Sequence, residues 1–143
     1  MQLAYAFFAD AAQVGQDGKL TIMGGDFDTV FAPSFPVQHG NLAIVIRLGA
    51  TPDECGREHD LSIMIIGPLG ESLAPPLHGK FTPMIPLGFE GGAIRATFVV
   101  NIAGLVFQTE GTYKCRILVD DSTLGELQLH VVRHAIPASG NLN

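Results

Sequence analysis

The chain has 143 residues, enough for one domain with a real core. Only 15% of them are charged and 47% are hydrophobic, so either the loops are neutral or another chain covers part of the surface. The net charge of −6, with eight scattered Lys and Arg, argues against nucleic acid and anionic membrane, both of which need clustered cations. Two cysteines are too few for a disulfide framework, which points to free thiols and a reducing, cytoplasmic setting. No apolar run approaches the ~18 residues of a membrane span.

Gln2 to Asp10 is apolar on both faces, with Leu3, Tyr5 and Phe7 on one and Ala4, Ala6 and Phe8 on the other. It reads as a first strand rather than a signal peptide, because no cationic segment precedes it. Asp10 to Val14 has room for one helical turn. Asp17-Gly18 is a tight-turn signal. Leu20, Ile22 and then Phe27 to Phe31 form a second strand, and Gly24-Gly25 within it suggests a bulge.

Ala32 to Pro36 is a connection, and Asn41 to Ala50 is a strand. Its Leu42, Ile44, Ile46 and Leu48 share one face, and the other face is nearly uncharged. A polar loop, Thr51 to His59, leads to a strand from His59 to Gly67 with Leu61, Ile63 and Ile65 inward. Five of the nine prolines fall between 68 and 92, which leaves at most a short edge strand near Lys80 to Pro83. Ile94 to Ile102 alternates as a half-buried strand, and Gly104 to Gln108 is expected to break it.

The clearest element is Glu110 to Val132. Tyr113, Cys115, Ile117 and Val119 alternate with Thr112, Lys114, Arg116 and Leu118, and Leu127, Leu129 and Val131 alternate with Glu126, Gln128 and His130 after the turn chemistry of Asp120 to Thr123. Gly111, Tyr113 and Cys115 resemble the tyrosine corner of immunoglobulin-type sandwiches, in which the Tyr hydroxyl reaches back to the chain just upstream. Trp is absent and Cys55 lies in a loop, so the resemblance carries the architecture without its disulfide. The expected fold is a single all-β domain over 1–135, an antiparallel β-sandwich, immunoglobulin-like, of seven or eight strands. A frayed tail over 136–143 follows it. A C2-type sandwich is the nearest architectural rival.

A second resemblance rests on Phe7-Phe8-Ala9-Asp10-Ala11-Ala12 and on Gly18-Lys19-Leu20-Thr21-Ile22-Met23-Gly24-Gly25. These segments are similar to the opening of a bacterial family of small all-β proteins, a domain of unknown function. The resemblance implies a β-sandwich and a bacterial origin. It implies no activity and no functional residues.

No catalytic constellation, phosphate loop or metal motif is present, and no cofactor is expected. Asp26 and Asp28 supply two carboxylates of the kind that bind calcium, against the reading of a solvated strand face. Cys55, His59 and Asp60 are metal-competent types, but their spacing lacks the paired pattern of zinc sites. The remaining candidate is an apolar patch formed by Ala43, Val45, Met64 and Ile66 if their strands pair. Such a patch makes the chain a non-enzymatic binding or structural module that self-associates or binds another protein. The opposing reading is that the proline-rich segment 68–92 covers it. On the first reading, replacing Val45 or Met64 with Glu dissolves the assembly and leaves the monomer folded. A loop-borne ligand or calcium site is the alternative function.

Overall fold

The two-residue alternation is realised throughout. The computed structural model describes residues 1–134 and places nine strands in two sheets, with no α-helix among the described residues. In chain order the strands are β1 (Gln2–Val14), β2 (Leu20–Phe27), β3 (Thr29–Ala32), β4 (Val37–Ala50), β5 (His59–Ile66), β6 (Leu77–Phe81), β7 (Ile94–Phe107), β8 (Gly111–Val119) and β9 (Ser122–Arg133). One sheet has the order β2-β1-β4-β7 and the other β3-β9-β8-β5-β6. All pairs are antiparallel except β3 with β9. The all-β expectation holds, with nine strands in place of seven or eight. The expected tail at 136–143 lies outside the described residues.

The extra strand comes from a change of sheet. The apolar run after Gly25 does not continue as one strand. Gly24 and Asp26 take φ of +59° and +60°, which breaks the register against β1 between Phe8 and Ala9. The chain then leaves the first sheet at Asp28, enters the second as β3 and pairs with the end of β9. That side of the molecule is therefore bridged by one continuous segment.

The core lies between the sheets. Leu42, Ile44, Ile46 and Leu48 of β4 face Leu61, Ile63 and Ile65 of β5 and Tyr113, Cys115, Ile117 and Val119 of β8 in one buried cluster. The inward sets expected for these strands are those found. In β1 the sets differ. A register shift between Leu3 and Tyr5 turns Leu3 to the core and leaves Tyr5 and Phe7 stacked on the outer face, ring centroids 5.9 Å apart. The possible helical turn at Asp10 to Val14 is strand, because β2 supplies a partner through Val14–Leu20. The break expected at Gly104 to Gln108 does not end β7, which keeps pairing with β4 to Phe107.

The β8–β9 hairpin closes through Asp120 and Asp121, with φ of 49° and 66°. Positive φ at both central residues is the turn that matches the twist of a two-stranded ribbon. The Tyr113 hydroxyl donates to the Thr109 carbonyl, four residues upstream, at 2.7 Å.

Candidate binding surface

The expected patch is divided. Ala43 and Val45 lie on β4 in one sheet, Met64 and Ile66 on β5 in the other, so the two pairs share no face. The patch required their strands to pair, but β4 sits between β1 and β7, and β5 between β8 and β6. Ala43 and Val45 are also fully buried. In the sheet, Val45 is flanked by the larger Phe7 and by Val99, and Ala43 by Ala9 and Asn101. Met64 and Ile66 are half-buried. Arg47, next along the same face of β4, has an Nε that is buried without a hydrogen-bond partner among the described residues.

The segment 68–92 is tied to the second sheet and to the β4–β5 connection. Ser72 forms a bridge with Ile66, β6 adds to the edge of β5, and Pro83 is anchored by the Gly56 amide donating to its carbonyl. Beyond it, Met84, Ile85 and Leu87 are exposed.

The metal-competent residues are held in a polar knot. His59 is 3% exposed; its Nδ1 donates to Asp120 Oδ2 and its Nε2 to the Glu54 carbonyl, each at 2.7 Å. Two acceptors call for two N–H groups, so the imidazolium fits the site. The Glu54 carbonyl first, then Asp120, raise the His59 pKa against the effect of burial. Asp120 also accepts from the Asp60 amide, which together with His59 holds its carboxyl below the usual range. Glu54 pairs with the Met1 amine and accepts from Thr51, which brings it down to about 2. Cys55 Sγ donates to the Thr51 carbonyl at 3.4 Å. These groups are spent on each other. Asp28 accepts from the Thr29 hydroxyl at 2.9 Å, and no three His, Cys, Asp or Glu side chains converge for an ion among the described residues.

The feature the sequence reading missed is an edge. Two sheets give four edge strands, and an exposed edge is a row of unpaired N–H and C=O groups. Three are blunted. β2 is kinked by its left-handed Gly24 and Asp26. β3 has four residues and runs into Pro33. β6 has five, follows Pro75-Pro76 and carries Lys80, paired with Glu58 at 3.0 Å. β7 also holds a left-handed glycine, Gly104, but near its end, which leaves Ile94 to Ala103 regular. It runs for 14 residues without Pro, bears Arg95 as its only charge, and keeps register with β4 from Ala50–Ile94 to Val37–Phe107. Among the described residues no backbone hydrogen bond reaches it from outside its sheet.

A groove runs beside this edge. At β2–β3 a single residue joins the sheets, whereas β6 and β7 are joined by the twelve-residue segment 82–93. There the Phe81 and Phe98 rings meet edge to face at 4.9 Å. A cavity of about 280 Å³ lies between Leu61, Ile63, Leu77, Phe98 and Val100. A second, of about 410 Å³, lies farther along β7 between Ser72, Leu73, Ile102, Leu105 and Tyr113. Phe98, Val100 and Ile102 belong to the core but are only partly buried.

No curated protein matches the sequence. The model of a family of unknown function, DUF6941, matches residues 4–132, which bears out the likeness read from the first strands; the chain belongs to that family.

Proposed function

We propose that the chain is a non-enzymatic binding or structural module that works by strand addition along β7. The observation that carries this reading is the contrast among its edges: β3 and β6 are short, β2 is kinked, and β7 offers ten regular residues, Ile94 to Ala103, beside an apolar groove. An added strand gains main-chain hydrogen bonds from β7, and its alternate side chains enter the two cavities. The surface is an edge and a groove, not the sheet face of Ala43, Val45, Met64 and Ile66. The two unpaired cysteines support a reducing, cytoplasmic setting for the module.

A synthetic copy of residues 94–107, extended with lysines for solubility and carrying a fluorophore, is the probe. We expect saturable binding in anisotropy titrations, weakened at least tenfold by Val99→Lys, since Lys on an edge opposes pairing. A wild-type chain that leaves the peptide unbound, or a variant that binds it equally well, sinks the proposal.

A further inference from the structure

We infer that the strand added to β7 is the β7 of a second copy, the two pairing antiparallel about a two-fold axis through Val99. This rests on the reading of β7 as the working edge and names its partner.

Three observations select a second copy and its register. The first is charge. The chain carries −6, so two copies repel over most approaches, but β7 has no carboxylate. Its one cation, Arg95, falls opposite Ala103 in this register. The two Arg95 residues then stand roughly 27 Å apart along the ribbon, several Debye lengths at physiological salt.

The second is strand geometry. Residues opposite each other in an antiparallel pair project to the same face, so a two-fold axis must pass through a residue, not between two. Gly104, at φ of +71°, ends the regular span, leaving Ile94 to Ala103 and centres at Phe98 or Val99. Centring on Phe98 sets two Phe rings directly opposite each other. Centring on Val99 sets Phe98 against Val100, Ala96 against Ile102, and Thr97 against Asn101. Large meets small on the groove face, and polar meets polar on the outer face.

The third is closure. Pairing of β7 with itself is isologous and ends at two copies. Pairing of β7 with any other edge is head-to-tail and propagates unless the rotation happens to close a ring. The blunted β2, β3 and β6 oppose that second mode. The dimer joins two four-stranded sheets into one of eight and brings each groove against the partly buried Phe98 and Val100 of the second copy.

The test is Val99→Cys in a Cys55→Ser background, oxidised with copper phenanthroline and run on a non-reducing gel. Directly opposed residues have Cα atoms about 4.5–5.5 Å apart, within disulfide range. We expect a covalent dimer from Val99→Cys, and none from Thr97→Cys or Asn101→Cys alone. A mixture of those last two should cross-link, because 97 faces 101. Light scattering on the unmodified chain should give twice the monomer mass, and Val99→Lys should weaken the dimer at least tenfold. A wild-type monomer up to 200 µM overturns the second-copy inference, while peptide binding would still hold β7 as the working edge. A dimer that survives Val99→Lys and does not cross-link at position 99 overturns both.

Discussion

His59 sits between two acceptors, the Glu54 carbonyl and the Asp120 carboxylate, and is almost wholly buried. Its pKa is raised in the folded state, so its contribution to stability is fully present below the unfolded value of 6.5. That contribution is lost as pH rises through the higher folded value. Urea midpoints should therefore fall as pH is raised from 6 toward 9, and His59→Gln should flatten that slope while costing about 1–3 kcal/mol at pH 6. The carboxylates act in the opposite direction. Glu54, at about 2, and Asp120, also lowered, stabilise above their unfolded values of 4.5 and 3.8 and lose that contribution as pH falls toward 2. A His59→Gln protein with an unchanged alkaline limb would mean that the imidazolium is not what titrates. Val45 makes a second case at this scale. Replacing it with Glu was expected to release an assembly from an intact monomer, but the side chain has no exposed surface. Val45→Glu should instead lower stability by several kcal/mol, because a carboxylate there has no water and no partner. Met64→Glu, at a half-buried site, should cost far less, with thermal melts of the two variants as the comparison.

At the level of elements, the β8–β9 turn offers a paired test. Asp120 and Asp121 both adopt positive φ, a conformation unfavourable for a residue with a Cβ. Asp120 is repaid locally by accepting from the Asp60 amide and from His59, whereas Asp121 is exposed and accepts no hydrogen bond among the described residues. Asp121→Gly should stabilise the hairpin by roughly 0.5 kcal/mol, and Asp120→Gly should destabilise it by about 1–3 kcal/mol, read from urea unfolding. Equal effects of the two changes would remove the distinction. Strand faces were legible in the sequence because period-two alternation reports which side chains share a side, as at Leu42–Leu48 and Tyr113–Val119. Strand partners were not, because the same alternation is compatible with either sheet. Nothing in Ala43-Val45 or Met64-Ile66 encodes that β4 and β5 are separated. The bulge between Leu3 and Tyr5 and the sheet change at Asp28 were hidden for a related reason: each is set by pairing with a neighbour, not by the local run. The Gly24-Gly25 bulge was legible because glycine is itself the signal.

For the whole molecule, the functional question turns on an edge, and edges are properties of topology. The sequence of β7 held a usable hint, a long regular alternation without Pro or Lys, but its meaning depended on knowing that only β4 pairs with it. The polar knot joining Met1, Glu54, His59 and Asp120 was equally invisible, since it gathers the first residue, the β4–β5 connection and the β8–β9 turn from distant parts of the chain. The net charge of −6, legible at once, now acquires a specific consequence. If two copies pair through backbone hydrogen bonds and apolar side chains at β7, no opposite charges hold them together, and the summed charge of each opposes the other. Salt screens that opposition, with a Debye length of about 10 Å at 0.1 M and about 3 Å at 1 M. Sedimentation across 20 to 500 mM NaCl should therefore show the dimer tightening by several-fold as salt rises. An interface built from exposed ion pairs, such as Arg116–Glu126 or Lys80–Glu58 exchanged between copies, would weaken over the same range. The direction of the salt slope thus separates edge pairing from charge-driven association even before the contact is mapped.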